Sequence, residues 1–425
     1  MTVALAGAPP PIGRRRQAAL ATGWFGLNFH WLPISFVLLQ AQVATLVPGP
    51  RIALGIGAVG AAGGVFAVVV PPCVGAGSDR LTTPWGRRRP IIAVGIVGNL
   101  LGLLLMASAP SFLVLVAGYL VIQLFNGAVT AAYAGLIPDV VPEAEVGEAS
   151  GLLGAAYNLG GILGVGATFV LSLTGHVTLA YAVIAPVLVL SFLPVFWAAR
   201  GEGTTPRPRR PRQTVAQFLA PLWSGSFAWV LVTRFAMTSG VAVVSFFLSP
   251  FFSTVLHIPD ASTFTSLWLL VVFLCGAPFG YAGGRLSDRL GRKVFVYASS
   301  TVQVLVGAYV VVFSPSSIPV VLVLGGLFGV GYGLYYAIDW ALAVDTLPDG
   351  ADASKDMGLF HVSYTLPQTI VPLIGGALID GLGGGARGYR GIFIIAIVCF
   401  LFGTILVRQV KLPPRAAVKT TPTGR

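Results

Sequence analysis

The sequence contains very few charged residues. Of 425 residues, 9% are Asp, Glu, Lys or Arg, whereas 56% are hydrophobic. Soluble globular domains carry about 25% charged residues, because charge keeps their surfaces hydrated. The composition therefore excludes a soluble globular protein and favours a chain that crosses a lipid bilayer several times.

Cysteine and histidine are also rare, with three Cys and four His. Cys73, Cys275 and Cys399 lie far apart in or beside apolar runs, so we expect buried apolar side chains rather than a metal or redox site. The phosphate-binding sequence Gly-x-x-x-x-Gly-Lys-[Ser/Thr] does not occur, so no ATP site is expected. We accordingly expect no metal, no cofactor and no enzymatic activity.

Apolar runs of about 20 residues, the length that spans a bilayer, follow one another along the whole chain. They predict an all-α membrane protein with twelve transmembrane helices. The predicted spans are roughly 18–46, 52–74, 90–108, 111–136, 148–172, 177–198, 221–247, 264–283, 294–313, 317–344, 357–379 and 391–408. Between the sixth and seventh spans, the sequence GEGTTPRPRRPRQT is rich in Pro and Arg, which indicates a linker.

Two motifs occur at matching positions in the two halves of the chain. Residues 75–90 (GAGSDRLTTPWGRRRP) and 284–293 (GRLSDRLGRK) each follow the second apolar run of their half. Asp139 and Asp345 each begin an Asp-x-x-Pro sequence after the fourth run. Such duplication predicts two pseudo-symmetric six-helix bundles. The predicted segments are an N-terminal tail (1–17), a bundle (18–199), a linker (200–220), a second bundle (221–408) and a C-terminal tail (409–425).

We expect the repeated basic stretch to act as a gate between helices. A glycine at its start would let a helix end approach its neighbour closely, and its Asp could pair with an Arg. The alternative is a basic loop that only sets membrane topology. The predicted gating residues are Gly75, Asp79, Arg80, Gly86, Arg87 and Arg88 in the first copy, and Gly284, Asp288, Arg289, Gly291 and Arg292 in the second.

The positive residues predict the orientation of the chain. The sequence has 26 Lys and Arg, and all except Arg51, Arg234, Arg387 and Arg390 fall in the tails or in alternate loops. Positive residues collect on the cytoplasmic side, so both termini are expected there. This arrangement accounts for the net charge of +12 without a nucleic-acid partner. We expect a monomer in the plasma or inner membrane.

These residues resemble the major facilitator superfamily, whose hallmark is the loop between the second and third spans of each half. The form SDR-x-T-x-x-x-GRRRP in the first copy is similar to the sucrose/proton symporters and their bacterial relatives, the glycoside–pentoside–hexuronide:cation symporter group. Asn126, Asp139 and the pair Pro367-Gln368 match further positions of those symporters. The Arg that they carry before the Asp of the fourth span has no counterpart in residues 130–135.

The resemblance implies alternating access to a substrate held between the two bundles and lined mostly by spans 1, 4, 7 and 10. It further implies proton-coupled symport of a sugar or glycoside. Two alternatives stay open at this point. One is proton-coupled efflux of amphipathic small molecules, and the other is a membrane sensor of the same fold that transports nothing.

Ionisable residues inside the predicted spans are few and are functional candidates because their burial is unfavourable. Asp339 is the leading candidate for proton coupling, since a buried carboxylate can bind and release a proton; Tyr133 occupies the equivalent place in the first half. The alternative is a permanent ion pair with Arg234, which could itself reach the membrane interface instead. The predicted proton-coupling residues are Asp339, Asp139, Arg234 and His30, the last of which could equally bond a neighbouring helix.

Aromatic and amide side chains on spans 1, 4 and 10 are the candidates for substrate binding. A pyranose has an apolar face for stacking and hydroxyl groups for hydrogen bonding, and this mixture suits both. The same residues would also fit an amphipathic drug or the packing of a bundle. The predicted substrate-binding residues are Trp24, Asn28, Trp31, Gln40, Gln123, Asn126, Tyr133, Tyr336 and Trp340.

Overall fold

The computed structural model describes residues 12–78, 81, 83–142, 145–175, 178–200, 220–347 and 353–412. Within these residues all regular structure is helical, and twelve helices are long and apolar enough to cross a membrane, as predicted. They are α1 (Gly13–Leu46), α2 (Ile52–Ser78), α3 (Arg89–Ala107), α4 (Phe112–Val140), α5 (Val146–Ser172), α6 (Leu179–Ala198), α7 (Gly225–Thr254), α8 (Ala261–Leu290), α9 (Arg292–Phe313), α10 (Ile318–Asp345), α11 (Ala353–Gly381) and α12 (Gly385–Leu406).

The first helix is irregular in its second half. A π turn at Ile34–Leu38 follows Pro33 and separates the α-helical segments Gly13–Pro33 and Leu39–Leu46. Proline has no N–H for the helical ladder, which favours an irregular turn at this place. The one extra residue of a π turn rotates the following segment by about 100°.

Two sequence expectations differ from the structure. The last helix begins at Gly385 rather than near residue 391, so Arg387 and Arg390 lie in its first turns instead of a loop. The cysteines are not buried: Cys73 is exposed, and Cys275 and Cys399 are partly exposed. The physical reason is that the outer surface of a membrane protein faces lipid, so an apolar side chain gains little from moving inside the bundle.

Helices α1–α6 and α7–α12 form two pseudo-symmetric six-helix bundles. In the first, α1 packs along α5 and α6, and in the second, α7 packs along α11 and α12. Two helix backbones can approach each other closely only where small residues lie between them. A Cβ added at Gly164 of α5 would lie 2.6 Å from the Phe29 carbonyl oxygen of α1, so a larger side chain would separate these helices.

The two bundles meet at one end. We call the end where α1 begins and α2 ends the basic side, and the opposite end the far side. Towards the far side, α2 packs along α11, and α5 packs along α8. A Cβ added at Gly60 would lie 2.6 Å from Pro372 Cβ, and one at Gly376 would lie 2.7 Å from the Ala53 carbonyl oxygen. The interface between the bundles is therefore tightly closed on the far side.

Candidate functional site

Helices α7 and α10 bring Arg234 and Asp339 together in an ion pair. Arg234 Nη1 donates to Asp339 Oδ2, and the two residues are only 4% and 2% exposed. The Tyr335 hydroxyl donates to the other carboxylate oxygen at 3.2 Å. Arg234 lies nine residues beyond the start of α7, a rise of about 14 Å, which places it well inside the bilayer.

Aromatic rings support the cation. The guanidinium carbon of Arg234 lies 3.6 Å from the centre of the Phe360 ring and 5.5 Å from that of Tyr364, both on α11. Cation–π contacts of this kind are strongest when water is excluded. The Tyr364 ring centre lies 6.2 Å from that of Tyr336, whose own neighbour Tyr332 is 4.5 Å away. Arg234 is therefore held by one carboxylate and two aromatic rings.

Two polar atoms of this cluster have no hydrogen-bond partner among the described residues. They are Arg234 Nε and the Tyr336 hydroxyl, and both are buried. An unsatisfied buried donor is unfavourable by about 1–3 kcal/mol. The cluster therefore offers donors that a ligand with oxygen acceptors would satisfy.

Tyr157 of α5 faces this cluster from the first bundle. The residue is 40% exposed, and its phenol lies within electrostatic range of Arg234 and Tyr364 of the second bundle. We infer from this accessible residue beside buried groups that a cavity lies here between the bundles. Trp24 packs against its ring with centres 5.7 Å apart, and the Asn28 side-chain amide donates to its carbonyl oxygen at 2.7 Å. Nothing in the sequence singles out this tyrosine, since its position depends on how the bundles pack.

Several predicted substrate residues instead join helices of the first bundle. Tyr133 is fully buried, and its hydroxyl donates to the Leu20 carbonyl. Trp31 of α1 stacks on the Tyr119 ring of α4 with centres 6.3 Å apart, whereas Gln123 donates to the Tyr119 hydroxyl at 3.4 Å within α4 itself. These contacts leave fewer free amides and rings for a ligand than the sequence suggests.

His30 lies away from the ion pair. It is fully buried, and it follows by one turn Gly26, where an added Cβ would overlap Ser191 Oγ of α6. Residues four apart share a helix face, so His30 lies on the face of α1 that packs against α6. Neither of its ring nitrogens has a hydrogen-bond partner among the described residues.

The remaining predicted site residues do not join the cluster around Arg234 among the described contacts. Asn126 is half-buried, and its Oδ1 has no partner among the described residues. Gln40 lies at the far side, where it bonds α7 rather than lining the cluster. The side chains of Asp139 and Trp340 lie outside the described residues.

The two copies of the repeated stretch share local geometry. Gly86 and Gly291 both have φ of +97°, and in each copy an Arg one or two residues after this glycine reaches a serine at the end of the preceding helix. Arg88 donates to Ser78 Oγ, while Arg292 donates to Ser287 Oγ at 3.4 Å. Asp79 and Arg80, the surroundings of Gly284, and the side chains of Asp288 and Arg289 lie outside the described residues.

Three further residues of the repeated stretch are Arg292, Arg87 and Gly75. Arg292 also pairs with the carboxylate of Asp345, so this copy ties the α8–α9 loop to the end of α10. Arg87, which directly follows Gly86, is the equivalent residue in the first copy, and it is buried. The close approach expected at Gly75 is not seen, because a Cβ there would meet no described atom within 4 Å.

Comparison with known proteins agrees with this architecture. The family model described as the Major Facilitator Superfamily matches residues 54–354 and 260–425. The chain belongs to the major facilitator superfamily. Its twelve apolar helices accordingly make it a multi-pass membrane protein.

Solved structures share the fold at low sequence identity. A mutant form of the nucleoside transporter NupG matches with a TM-score of 0.72 and 14% identity over 93% of this chain and 99% of that one. A bacterial homologue of the human lysosomal transporter Spinster, in an inward-facing and unoccupied conformation, matches with a TM-score of 0.69 and 14% identity over 93% and 98%. At this identity the likeness supports the fold alone.

Two curated relatives match shorter stretches of sequence. The tetracycline resistance protein, class G, of Vibrio anguillarum is 32% identical over 150 residues, 35% of this chain and 37% of the relative. The sucrose transport protein SUT1 of Oryza sativa subsp. japonica is 39% identical over 90 residues, 21% of this chain and 16% of the relative. The chain thus spans well under half the length of the curated relatives it matches.

Proposed function

We propose that this transporter couples proton movement to the uptake of a sugar or glycoside, with Arg234 and Asp339 as the coupling pair. The observation that carries the proposal is the buried ion pair itself, which lies on aromatic rings and faces Tyr157 across the cavity. Burial of a carboxylate and a guanidinium inside a bilayer is unfavourable, so ionisable residues are rare there. A pair at this depth is therefore a candidate for a function such as coupling.

The ion pair can switch between two states of charge. Without substrate, Asp339 is ionised and neutralises Arg234. Removing one partner of a buried pair leaves an uncompensated charge, at a cost of about 3–5 kcal/mol. A proton on Asp339 therefore releases Arg234, which then needs an oxygen acceptor, and a substrate oxygen can supply it. Proton and substrate favour the same state, so each promotes binding of the other.

The composition of the cluster supports a substrate with a ring and several oxygens. Tyr157, Tyr336 and Tyr364 offer faces for an apolar ring, while Arg234 Nε and the Tyr336 hydroxyl are donors without partners among the described residues. Residue similarity to a sucrose transport protein points the same way. Sugars combine these two surface types, which is the basis of the proposal.

Efflux of amphipathic compounds is the second candidate. Asn28 and Gln40, two of the predicted substrate amides, are engaged in bonds between helices. A cavity rich in aromatic rings and poor in free amides suits an apolar ring system better than a free hexose. The similarity to a tetracycline resistance protein adds support to this alternative.

One experiment separates the two candidates by the sign of the proton gradient. The purified protein is reconstituted into vesicles, and uptake of radiolabelled sucrose, a panel of other sugars, and tetracycline is measured with an acidic or an alkaline exterior. A symporter moves substrate with the proton, so an acidic exterior drives accumulation. An antiporter accumulates substrate when the interior is acidic. The sign holds for either orientation of the protein in the vesicle.

The expected result is accumulation of a sugar with an acidic exterior. Accumulation of tetracycline with an acidic interior, and of no sugar, would establish the efflux alternative instead. Uptake that equilibrates identically with and without the gradient would exclude proton coupling altogether. Empty vesicles and a dissipated gradient are the controls.

Orientation belongs to the same proposal. We infer that the basic side is cytoplasmic and that the protein acts as a monomer of two bundles joined by the linker at residues 200–220. The far-side closure is then an inward-facing arrangement. Single cysteines at Pro48 or Ser316 should react with an impermeant reagent added outside intact cells, while one at Trp85 should not. Labelling of Trp85→Cys from outside would overturn the orientation.

A further inference from the structure

Gln40 connects the two bundles on the far side. Its Nε2 donates to the Ser245 carbonyl oxygen at 2.6 Å, and its Oε1 accepts from the Ser249 N–H at 3.3 Å. Gln40 belongs to α1 and both serines belong to α7, and Gln40 is only 2% exposed. These bonds cross the interface that has to open when an alternating-access transporter exposes its cavity to the far side.

The two groups bonded by Gln40, the Ser245 carbonyl and the Ser249 N–H, are four residues apart on α7. In an α-helix the N–H of Ser249 points to the carbonyl of Ser245, four residues earlier. The side-chain amide of Gln40 therefore engages both partners of one backbone hydrogen bond. Pro250, the next residue, has no N–H, so the ladder of α7 is already weakened here. When Gln40 leaves, Ser245 and Ser249 have each other as partners, so neither of these two backbone groups is left unpaired.

The helix that carries Gln40 is irregular at the same depth. The π turn Ile34–Leu38 ends two residues before Gln40 and sets the direction in which its side chain leaves α1. Phe36 within this turn packs edge-on against Phe246 of α7, with ring centres 6.4 Å apart. Helices bend most readily at prolines and π turns, so both sides of the contact lie at points suited to movement.

A cleft of about 830 Å³ lies on the far side of this contact. Both bundles line it, and among its α1 residues Gln40 lies deepest along the helix, just as Ser249 does for α7. Representative lining residues are Gln40, Thr45, Ile52, Ser249, Ser253 and Tyr389. The Gln40 contact therefore separates the cleft from the cavity around Arg234 and Tyr157.

We propose that Gln40 is the latch of a far-side gate. In the conformation described here, its amide holds α1 against α7 and closes the cavity. When the Gln40 amide leaves, the latch opens and the cleft becomes continuous with the substrate cavity. Loss of two such bonds should change the ratio of open to closed molecules about tenfold. This role is independent of which substrate the protein carries.

Distance measurements between spin labels can test the latch. One label is placed at Ser111 and one at Ser316, which are exposed far-side positions in different bundles, after replacement of the native cysteines by alanine. Gln40→Met keeps the length of the side chain but removes the amide. We expect the population with the longer distance to rise about tenfold in Gln40→Met relative to the parent protein.

Gln42 supplies a matched control. It also makes two hydrogen bonds, to the Met106 carbonyl at 2.8 Å and from the Tyr181 hydroxyl at 2.7 Å, but all these residues belong to the first bundle. Gln42→Met should lower the melting temperature without changing the distances. An unchanged distribution in Gln40→Met, or an equal shift in Gln42→Met, would overturn the proposal.

A second variant, with a shorter amide side chain, tests the proposal if Gln40→Met does not fold. Gln40→Asn stays polar but lacks one methylene, so it cannot reach both groups on α7, and we expect the same shift in distance. The measurement needs no substrate. A failure of the latch is therefore distinct from a failure of the sugar proposal, which the vesicle assay alone decides.

Discussion

Gly86 and Gly291 have the same positive φ of +97°, a value that favours glycine. Each is followed by an arginine that is part of the repeated stretch, and Gly291 directly precedes the first turn of α9. The two copies of the repeat therefore share this backbone torsion as well as their sequence. A side chain in this region of φ is strained because its Cβ crowds the neighbouring backbone.

Replacing Gly291 by alanine should distort the loop between α8 and α9. The expected strain is about 1–3 kcal/mol, which should lower the melting temperature and slow transport. Gly75→Ala is the matched control, since Gly75 is helical and a Cβ there would meet no described atom within 4 Å. Thermal unfolding and initial transport rates report both effects. Equal behaviour of the two variants would show that the turn tolerates a side chain.

Asp339→Asn should separate transport from proton coupling. Asparagine imitates the protonated carboxyl group, so accumulation driven by a pH gradient should disappear, while exchange of substrate across the membrane should continue. Asp380→Asn, at the exposed far-side end of α11, removes a carboxylate outside the cluster and should leave both activities intact. If Asp339→Asn still concentrates substrate in response to the gradient, the proton is carried elsewhere, and Asp139 is the next residue to test.

The Arg292–Asp345 pair should affect transport more than stability. Its side chains are 16% and 34% exposed, and a partly exposed ion pair contributes only about 0–1 kcal/mol. Arg292→Asp should lower the transport rate several-fold, and the double variant with Asp345→Arg should restore it. Lys293→Asp is the control, because it makes the same charge change beside this pair without removing either partner. Transport that is equally slow in the double variant would reduce the loop to a topology signal.

Tyr157 should determine how tightly substrate binds. If its ring stacks on the substrate, Tyr157→Ala removes about 0.5–1.5 kcal/mol of binding, which raises KM about 2- to 10-fold, while Tyr157→Phe keeps most of the affinity. Asn158→Ala, on the next and exposed residue of α5, is the control. The measurement is the KM of the substrate that the vesicle assay identifies. An unchanged KM in Tyr157→Ala would remove this residue from the binding surface.

Much of the architecture could be predicted because its causes are local. The length and apolarity of each run predict a membrane span, and the boundaries at Ile52, Arg89 and Leu179 agree within a few residues. The duplicated stretch predicts two related bundles because it recurs at the matching position in each half of the chain. Arg234 and Asp339 could be paired in advance, since an unpaired charge in a bilayer is unfavourable.

The direction of individual side chains could not be predicted in this way. Asn28 was expected to bind substrate but holds Tyr157, and Gln40 was expected in the substrate site but bonds α7. Tyr157 carried no signal at all. Each outcome depends on which helix lies beside the residue and on the rotation of its own helix. A single π turn rotates everything after it by about 100°, so the sequence determined which segments cross the membrane, and only the packed structure decided which residues face the cavity.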